Sequence, residues 1–141
     1  MAALSGKRMA REKNFKSLAF PLATGAKAWE GGIACGDTAD GTVKQAQALT
    51  TLVKIGEFVD SFDNTSGSNP VNVLVRLDKE IVAQWYDNDP GGGAIVAADL
   101  FQDAYLLDDH TVTLTSTGHS KAGRIWAVDS VKGVLVENYT L

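Results

Sequence analysis

Turn-forming residues divide this chain into short segments from residue 29 onward, and that spacing limits the fold more than any other feature. The turn signals recur about every 8–12 residues, which is typical of all-β sandwiches and barrels. In residues 71–77 (VNVLVRL) every odd position is aliphatic, and this period of two predicts a strand with one buried face. We therefore predict an all-β fold: a compact antiparallel sandwich or barrel, jelly-roll-like, with an extended N-terminal arm.

The same reasoning gives the individual elements. Gly56 indicates a bulge inside its strand, residues 63–70 form the clearest loop, and residues 130–133 form the turn of a final hairpin. Residues 44–52 are the best helical candidate, residues 97–102 can form one turn, and no internal repeat is visible. The predicted strands are 33–35, 42–46, 51–60, 71–77, 80–86, 104–107, 111–115, 124–129 and 134–139.

Charge is distributed unevenly along the chain. Residues 1–30 hold six basic and two acidic side chains, a net charge of +4, whereas residues 31–141 hold seven basic and fifteen acidic ones, a net charge of −8. We predict a basic arm over residues 1–20 and a single β domain over residues 21–141, because Pro21 and a Thr-Gly turn separate the two. A basic arm of this kind suits docking on an acidic protein surface.

Targeting and redox signals are weak. The apolar stretch 18–23 contains a proline and is shorter than a signal-peptide core, and no run approaches the roughly 20 apolar residues of a membrane helix. We therefore expect neither secretion nor a membrane partner. Cys35 is the only cysteine, so it cannot form an intramolecular disulfide, and we expect a buried thiol.

Candidate chemistry is sparse, and we expect no catalytic residue, no metal and no cofactor. Asp108, Asp109 and His110 are sequential, so their side chains should diverge rather than converge on a metal. Ser116, His119 and Asp129 could form a hydrolytic triad, but His119 lies in a glycine-containing turn and no G-x-S-x-G elbow is present. Residues 91–93 (GGG) lack the lysine and helix of a phosphate loop, so we expect a flexible connection.

Binding to nucleic acid is also not expected. The basic arm has one aromatic residue, Phe15, and the acidic body would repel a polyanion. Trp29, Trp85 and Trp126 are more typical of core positions or interface anchors than of a ligand cage.

Residues 95–136 carry a specific order of turns and strands. An Ala-Ala-Asp step leads to a tyrosine, a double acidic turn with Thr-Val, a Gly turn, Ser-x-Ala-Gly-x-Ile, and a terminal Val-Asp-turn-Gly-Val-x-Val. This order resembles the C-terminal half of the capsid decoration proteins of tailed bacteriophages, also called cement or head-stabilisation proteins. The matching positions are Ala97-Ala98-Asp99, Tyr105, Asp108-Asp109, Thr111-Val112, Gly118, Ser120, Ala122-Gly123, Ile125, Val128-Asp129, Gly133-Val134 and Val136.

A weaker similarity covers Gly32-Ile33-Ala34, Asp37, Gly41 and Val43, so that the resemblance spans roughly residues 29–137. It departs most in residues 58–90, does not cover the arm, and carries no catalytic residue across.

The resemblance implies a structural virion protein, made in the host cytoplasm and bound to the outer surface of an icosahedral phage head. Its partners would be the major capsid protein and itself, as homodimers at two-fold sites or homotrimers at three-fold sites. The charge split places the capsid contacts on the arm, at Lys7, Arg8, Arg11, Lys13, Phe15 and Lys16.

Two other functions stay open from the sequence. Another β-sandwich virion component, a tail-tube or neck protein, would assemble into rings or tubes in isolation. A small hydrolase would depend on His119.

Overall fold

The structure of the chain is a computed structural model that describes residues 17–77 and 82–138. Within those ranges the regular elements are twelve strands and one 3₁₀ turn, Ala97–Asp99. The strands are β1 (Ser17–Leu22), β2 (Lys27–Ala28), β3 (Ile33–Asp37), β4 (Val43–Gln45), β5 (Leu52–Phe58), β6 (Phe62–Asp63), β7 (Val71–Leu77), β8 (Ala83–Asn88), β9 (Asp103–Leu106), β10 (Thr111–Thr113), β11 (Lys121–Asp129) and β12 (Gly133–Asn138).

The strands close into two five-stranded barrels. This confirms the all-β prediction, and the chain contains two barrels rather than one. The N-terminal barrel has the order β1-β4-β3-β5-β7, and the C-terminal barrel has the order β10-β8-β12-β11-β9. The short strands β2 and β6 pair separately. Neither barrel is wholly antiparallel, because β1 runs parallel to β4 and β8 runs parallel to β10.

The two barrels have the same topology. Numbered one to five in chain order, the strands of each barrel follow one another around it in the order 1-3-2-4-5, and strand 5 pairs with strand 1 to close the barrel. The pairing of strands 1 and 3 is parallel, and the other four pairings are antiparallel. Pairs at the parallel seam also correspond, since Leu22 faces Val43 in one barrel and Asn88 faces Val112 in the other. The pairings therefore assign each strand residue of one barrel an equivalent residue in the other.

The bulges are equivalent as well. Between β3 and β5, Ala34 faces Gly56 and the register then skips one residue of β5. Between β9 and β11, Ala104 faces Gly123 and the register skips one residue of β11. The bulge expected at Gly56 is confirmed, and it is one copy of a repeated feature.

This internal duplication corrects the expectation that the chain has no repeat. Around the two bulges the sequences read Lys54-Ile55-Gly56 and Lys121-Ala122-Gly123, so only a lysine and a glycine are shared. Pairing geometry preserves a fold when side chains change, because register depends on the backbone and on which face is buried. The repeat is therefore evident in the pairing but not in the residues.

Strand β3 joins the two barrels because both of its faces are buried. Ala34 belongs to the core cluster inside the N-terminal barrel. Ile33 and Cys35 point the other way and belong to the core of the C-terminal barrel, together with Leu52 of β5. Alternation within one strand thus supplies two cores, and the buried thiol expected at Cys35 is confirmed.

Most predicted strands lie where expected, and three assignments change. Strand β1 begins at Ser17, so residues 17–20, which the sequence assigns to the arm, pair with β7 inside a barrel. The helix proposed for residues 44–52 is wrong, because Val43–Gln45 pairs with β3 and β5 starts at Leu52. The strand predicted at 80–86 lies at Ala83–Asn88, while residues 78–81 fall outside the described ranges.

The duplicated glycines generate a testable prediction. A Cβ added at Gly56 would overlap the carbonyl oxygen of Arg76, and one added at Gly123 would overlap that of Glu137. These atoms belong to the neighbouring strand and cannot rotate away. We expect Gly56→Ala and Gly123→Ala each to lower the free energy of unfolding by about 2–4 kcal/mol in urea denaturation.

Gly92→Ala is the matched control, since its added Cβ meets no atom within 4 Å. That variant should change the free energy of unfolding by less than about 0.5 kcal/mol. Equal stability of Gly92→Ala and Gly123→Ala would contradict the duplicated close contact.

Candidate protein-binding surface

The outer face of the C-terminal barrel carries a row of apolar side chains, in which the aromatic ones are exposed and Leu135 and Ala127 are half-buried. Trp85 on β8 faces Leu135 on β12, and Leu135 faces Ala127 on β11. The residues that flank them along the strands, such as Tyr86 and Val136, are buried. Alternation along β8 and β12 therefore puts large apolar groups on both faces of these two strands, although only the inner face has a core to fill.

A bulge in β11 widens this row. The pairing of β11 with β12 shifts between Ile125 and Ala127, so Trp126 is an extra residue. Ile125 remains fully buried, whereas Trp126 is 43% exposed. The bulge therefore presents the indole beside Ala127 on the outside of the barrel.

Phe101 completes the row. Its ring lies 5.9 Å from the Trp126 ring, centroid to centroid, in an edge-to-face arrangement at 82°, a favourable geometry for an aromatic pair. The residue has φ of 75° and is 66% exposed. The backbone N–H of Phe101 donates a hydrogen bond of 2.8 Å to the carbonyl of Ile125, which holds the residue in place. We call Trp85, Leu135, Ala127, Trp126 and Phe101 the aromatic stripe.

The left-handed conformation of Phe101 has a cost. A non-glycine residue in that region is strained by about 1–2 kcal/mol, and Phe101 is the one such residue in the described ranges. Its side chain gains little burial in return. Strained, exposed residues of this kind concentrate at functional surfaces, which is consistent with a ring held ready for a partner.

The N-terminal barrel provides an internal comparison. There the pair equivalent to Trp85 and Leu135 is Ala19 and Leu74. Beyond Leu74 comes Asp60, whose carboxylate accepts a hydrogen bond of 2.9 Å from the Leu74 amide. The same scaffold is thus closed with no aromatic residue at these three positions, so the fold does not require aromatic side chains there.

All three tryptophans lie at the surface. Trp29, Trp85 and Trp126 are 50%, 36% and 43% exposed, so the core alternative is wrong for each and the role of interface anchor remains. Lys132 places its ammonium 5.5 Å from the Trp85 ring centroid, which adds a cation to one end of the stripe.

The residues that the sequence assigned to capsid binding are Lys7, Arg8, Arg11, Lys13, Phe15 and Lys16, and all of them lie outside the described residues. The aromatic stripe was not predicted as a site. The sequence signal that could have found it is a tryptophan in each of two predicted strands, Trp85 and Trp126, each next to a residue that faces the barrel interior.

The acidic turn behaves differently from expectation. His110 Nδ1 lies 2.9 Å from Asp109 Oδ1 and 3.1 Å from Asp108 Oδ1, so the three side chains converge. The cause is the tight turn, in which the Asp108 carboxylate accepts the amide of His110. The ring is 64% exposed. Nothing beyond the cluster itself points to a cation.

The hydrolytic arrangement is not formed among the three candidates. His119 Nδ1 lies 2.8 Å from the carbonyl of Leu106 and so donates to the backbone rather than to a carboxylate. Asp129 accepts the amides of Val131 and Lys132, both at 2.8 Å, and caps the last hairpin. Neither group is placed as the triad requires.

Hydrogen bonds and close contacts anchor the glycine loop, residues 91–93, whereas the sequence predicted a flexible connection. Asp89 accepts the amide of Gly91 at 2.8 Å and the hydroxyl of Thr113 at 2.8 Å, and these bonds hold the pKa of its carboxyl below the usual range. A Cβ at Gly93 would overlap Thr113 and Asp89. Gly93 therefore allows close packing against Thr113 and Asp89. The Gly91 amide donates to Asp89 and is not available to bind a phosphate.

Comparison with family models, with curated proteins and with solved structures finds no match for this chain. The fold and surface define an all-β double barrel with an exposed aromatic stripe. The resemblance to decoration proteins rests on the residues quoted above. No helix in the described part of the chain is long and apolar enough to span a bilayer.

The acidic turn makes a pH-dependent prediction. The hydrogen bond to Asp109, together with the charges of Asp108, Asp109 and Asp87, raises the pKa of His110 above its ordinary 6.5. A raised histidine pKa stabilises the fold most below about pH 6.5, and this contribution is lost as the pH rises through the folded value. NMR titration of the His110 ring should show the raised pKa, and Asp109→Asn should lower it.

Asp40→Asn serves as the control for that titration, because Asp40 lies in the N-terminal barrel beside Lys44. It should leave the His110 titration curve unchanged. A His110 pKa that is the same in Asp109→Asn and in the unsubstituted protein would refute the role of the Asp109 hydrogen bond.

Proposed function

We propose that this protein is a structural virion component, a capsid decoration protein that binds the outer surface of an icosahedral phage head and stabilises contacts between major capsid protein subunits. The observation that carries the proposal is the aromatic stripe. Exposed aromatics with an aliphatic centre are typical of protein-binding surfaces and of their energetic hot spots. The resemblance of residues 95–136 to decoration proteins supplies the identity of the partner.

The double barrel suits a cementing role. Closure of both sheets leaves the ten barrel strands without a free edge, which favours a discrete subunit over uncontrolled strand addition. A rigid body also loses little conformational entropy on docking. Each copy then contributes a modest contact, and many copies on a symmetric shell add avidity.

The basic N-terminal segment adds an electrostatic component. Five cations precede β1, whereas residues 31–141 carry a net charge of −8. We propose that Lys7, Arg8, Arg11, Lys13, Phe15 and Lys16 contact an acidic area of the shell. Charges of this kind raise association rates and make binding sensitive to salt.

The stripe can be tested with heads purified without this protein. Trp126→Ser and Phe101→Ser should each weaken binding by roughly 10- to 30-fold, equal to about 1.4–2 kcal/mol, as measured by co-sedimentation. Each removes aromatic area from a surface that the barrel core does not use, so the fold should persist by circular dichroism.

Val131→Ser is the matched control. Val131 lies in the turn beside β12 and is 91% exposed, but it is not part of the stripe. It should bind heads like the unsubstituted protein. Unchanged binding of both aromatic variants would contradict the role of the stripe, and rings or tubes of the free protein would favour a tail-tube or neck component.

The arm is tested separately by deletion of residues 2–16, which leaves β1 intact because that strand begins at Ser17. We expect weaker binding and a smaller decrease of affinity between about 50 and 200 mM salt. Cryo-electron microscopy of decorated heads would show whether copies lie on two-folds or three-folds. Capsid binding that is unchanged by the deletion would remove the arm from the proposal.

A further inference from the structure

The N-terminal barrel has an open apolar cavity at one end, and we call it the N-terminal mouth. Its volume is about 210 Å³. An apolar cavity of about 150 Å³ is large enough to take up benzene, so this one can hold an aliphatic or aromatic side chain. The apolar side chains that line it come from three strands: Phe20, Val43, Val53 and Ile55.

The duplication shows what covers the same end of the other barrel. The equivalents of Phe20, Val43 and Val53 are Tyr86, Val112 and Ser120. Tyr86 and Val112 are buried in one cluster with residues of the N-terminal barrel. The covering residues are Ile33, Cys35, Ala46 and Leu52.

Hydrogen bonds fix this cover in place. The Leu52 amide donates to Ser120 Oγ at 3.1 Å, and the Ser120 hydroxyl donates to the Leu49 carbonyl at 2.6 Å. The Ile33 amide donates to the Asp109 carbonyl at 2.7 Å. A sheet face with branched aliphatic side chains therefore closes the C-terminal mouth, and the described residues provide no such cover for the N-terminal one.

One substitution between the repeats opens the N-terminal mouth. Gly36 is equivalent to Leu106, because Gly36 faces Val43 as Leu106 faces Val112. Leu106 is fully buried in the C-terminal core. Ile55 replaces part of the missing volume, since a Cβ on Gly36 would lie 3.9 Å from its Cγ2, and the cavity is what remains.

Charge at the rim narrows the choice of occupant. Asp37 and Asp40 both bind Lys44, at 2.5 and 3.2 Å, so two carboxylates face one ammonium. The Lys44 hydrogen bond, with further bonds, holds the pKa of Asp37 at about 2, so that carboxylate is ionised at neutral pH. The C-terminal cover likewise includes a cation, with Lys54 Nζ 4.9 Å from the Tyr86 ring centroid.

We propose that the N-terminal mouth is a second protein-binding site, which takes a partner segment presenting an aliphatic side chain with a lysine two residues later, as Leu52 and Lys54 are presented to the C-terminal mouth. The aliphatic group fills the cavity above Gly36. The lysine lies over Phe20, which is the equivalent of Tyr86, and near the excess negative charge of the rim. This site goes beyond the proposed function, because it lies on the other barrel and needs no capsid.

A second copy of this chain is a poorer fit. Within one molecule, β3 and β5 of the N-terminal barrel cover the C-terminal mouth. Their equivalents in the C-terminal barrel are β9 and β11, so these two strands of another copy would cover the N-terminal mouth in the same way. At the positions of Ile33 and Cys35 that face carries Asp103 and Tyr105, and Asp103 forms an ion pair of 3.3 Å with Lys121. A charged pair would lose hydration in an apolar cavity.

The test uses the full chain and a capped pentapeptide, Thr-Thr-Leu-Val-Lys, which reproduces residues 50–54. In ¹⁵N-resolved NMR titrations we expect amide shifts limited to Phe20 and to residues 36–43 and 53–55, with a Kd on the order of 1 mM, typical of a weak single contact. A control peptide with asparagine in place of leucine should bind at least about tenfold more weakly, since it loses the apolar contact.

Variants locate the site on the protein. Gly36→Leu supplies the side chain that Leu106 provides in the other barrel and should reduce peptide binding at least about tenfold. Gly36→Ala, whose Cβ makes only ordinary contact, should retain binding. If Gly36→Leu fails to fold, Val53→Arg at the 37% exposed rim should block the mouth.

Three results would overturn the proposal. The first is the absence of shifts at peptide concentrations of about 10 mM, ten times the expected Kd. The second is binding that appears only after deletion of residues 2–16, which would assign the mouth to the N-terminal segment of the chain itself. The third is concentration-dependent sedimentation that Gly36→Leu abolishes, which would assign it to a second copy.

Discussion

The burial of β3 on both faces is the constraint on which the rest of the structure depends. A strand that lines one barrel normally leaves its other face to solvent. Here Ala34 fills one core, while Ile33 and Cys35 fill the other. A polar residue at any of these positions would leave an unsatisfied group in an apolar core. The wall that separates the barrels is therefore also the contact that holds them together.

That shared wall explains why two copies of one scaffold have different surfaces. The C-terminal barrel has its mouth closed by Ile33 and Leu52, so its inner end is fully used by the fold. Its outer face is free to vary and carries Trp85 and Trp126. The N-terminal barrel contributes the wall and leaves its own mouth open above Gly36. Duplication therefore gives one pairing scheme two different surfaces, and we propose that each of them binds a partner.

The sequence predicts the local elements well because period-two alternation and turn residues act over a few positions. It places β7 at 71–77, the bulge at Gly56 and the final hairpin. It does not give the parallel pairings or the closure, since these join strands that are distant along the chain. Residues 44–52 look helical because alanines and glutamines favour helix locally, and the pairing of Val43 and its neighbours with β3 overrides that preference.

The candidate surfaces escape sequence reasoning for a related reason. A tryptophan in a strand is predicted equally well as core or as surface, and for Trp126 the choice depends on the one-residue bulge at that position. In the sequence, Gly36 followed by Asp37 indicates a turn. In the structure Gly36 lies in β3, at the position that the core residue Leu106 occupies in the other barrel.

The two surfaces also differ in the physics of binding. The aromatic stripe offers large area and a single cation, Lys132, so its affinity would come mainly from dehydration of aromatic rings. The N-terminal mouth offers a small cavity with an acidic rim, so size and charge would both select its occupant. Because the two lie on different barrels that share β3, one subunit would hold two partners at a set separation under these proposals, and the second contact would then form at high effective concentration. A protein that stabilises joints between other subunits requires this property more than it requires high affinity at either surface.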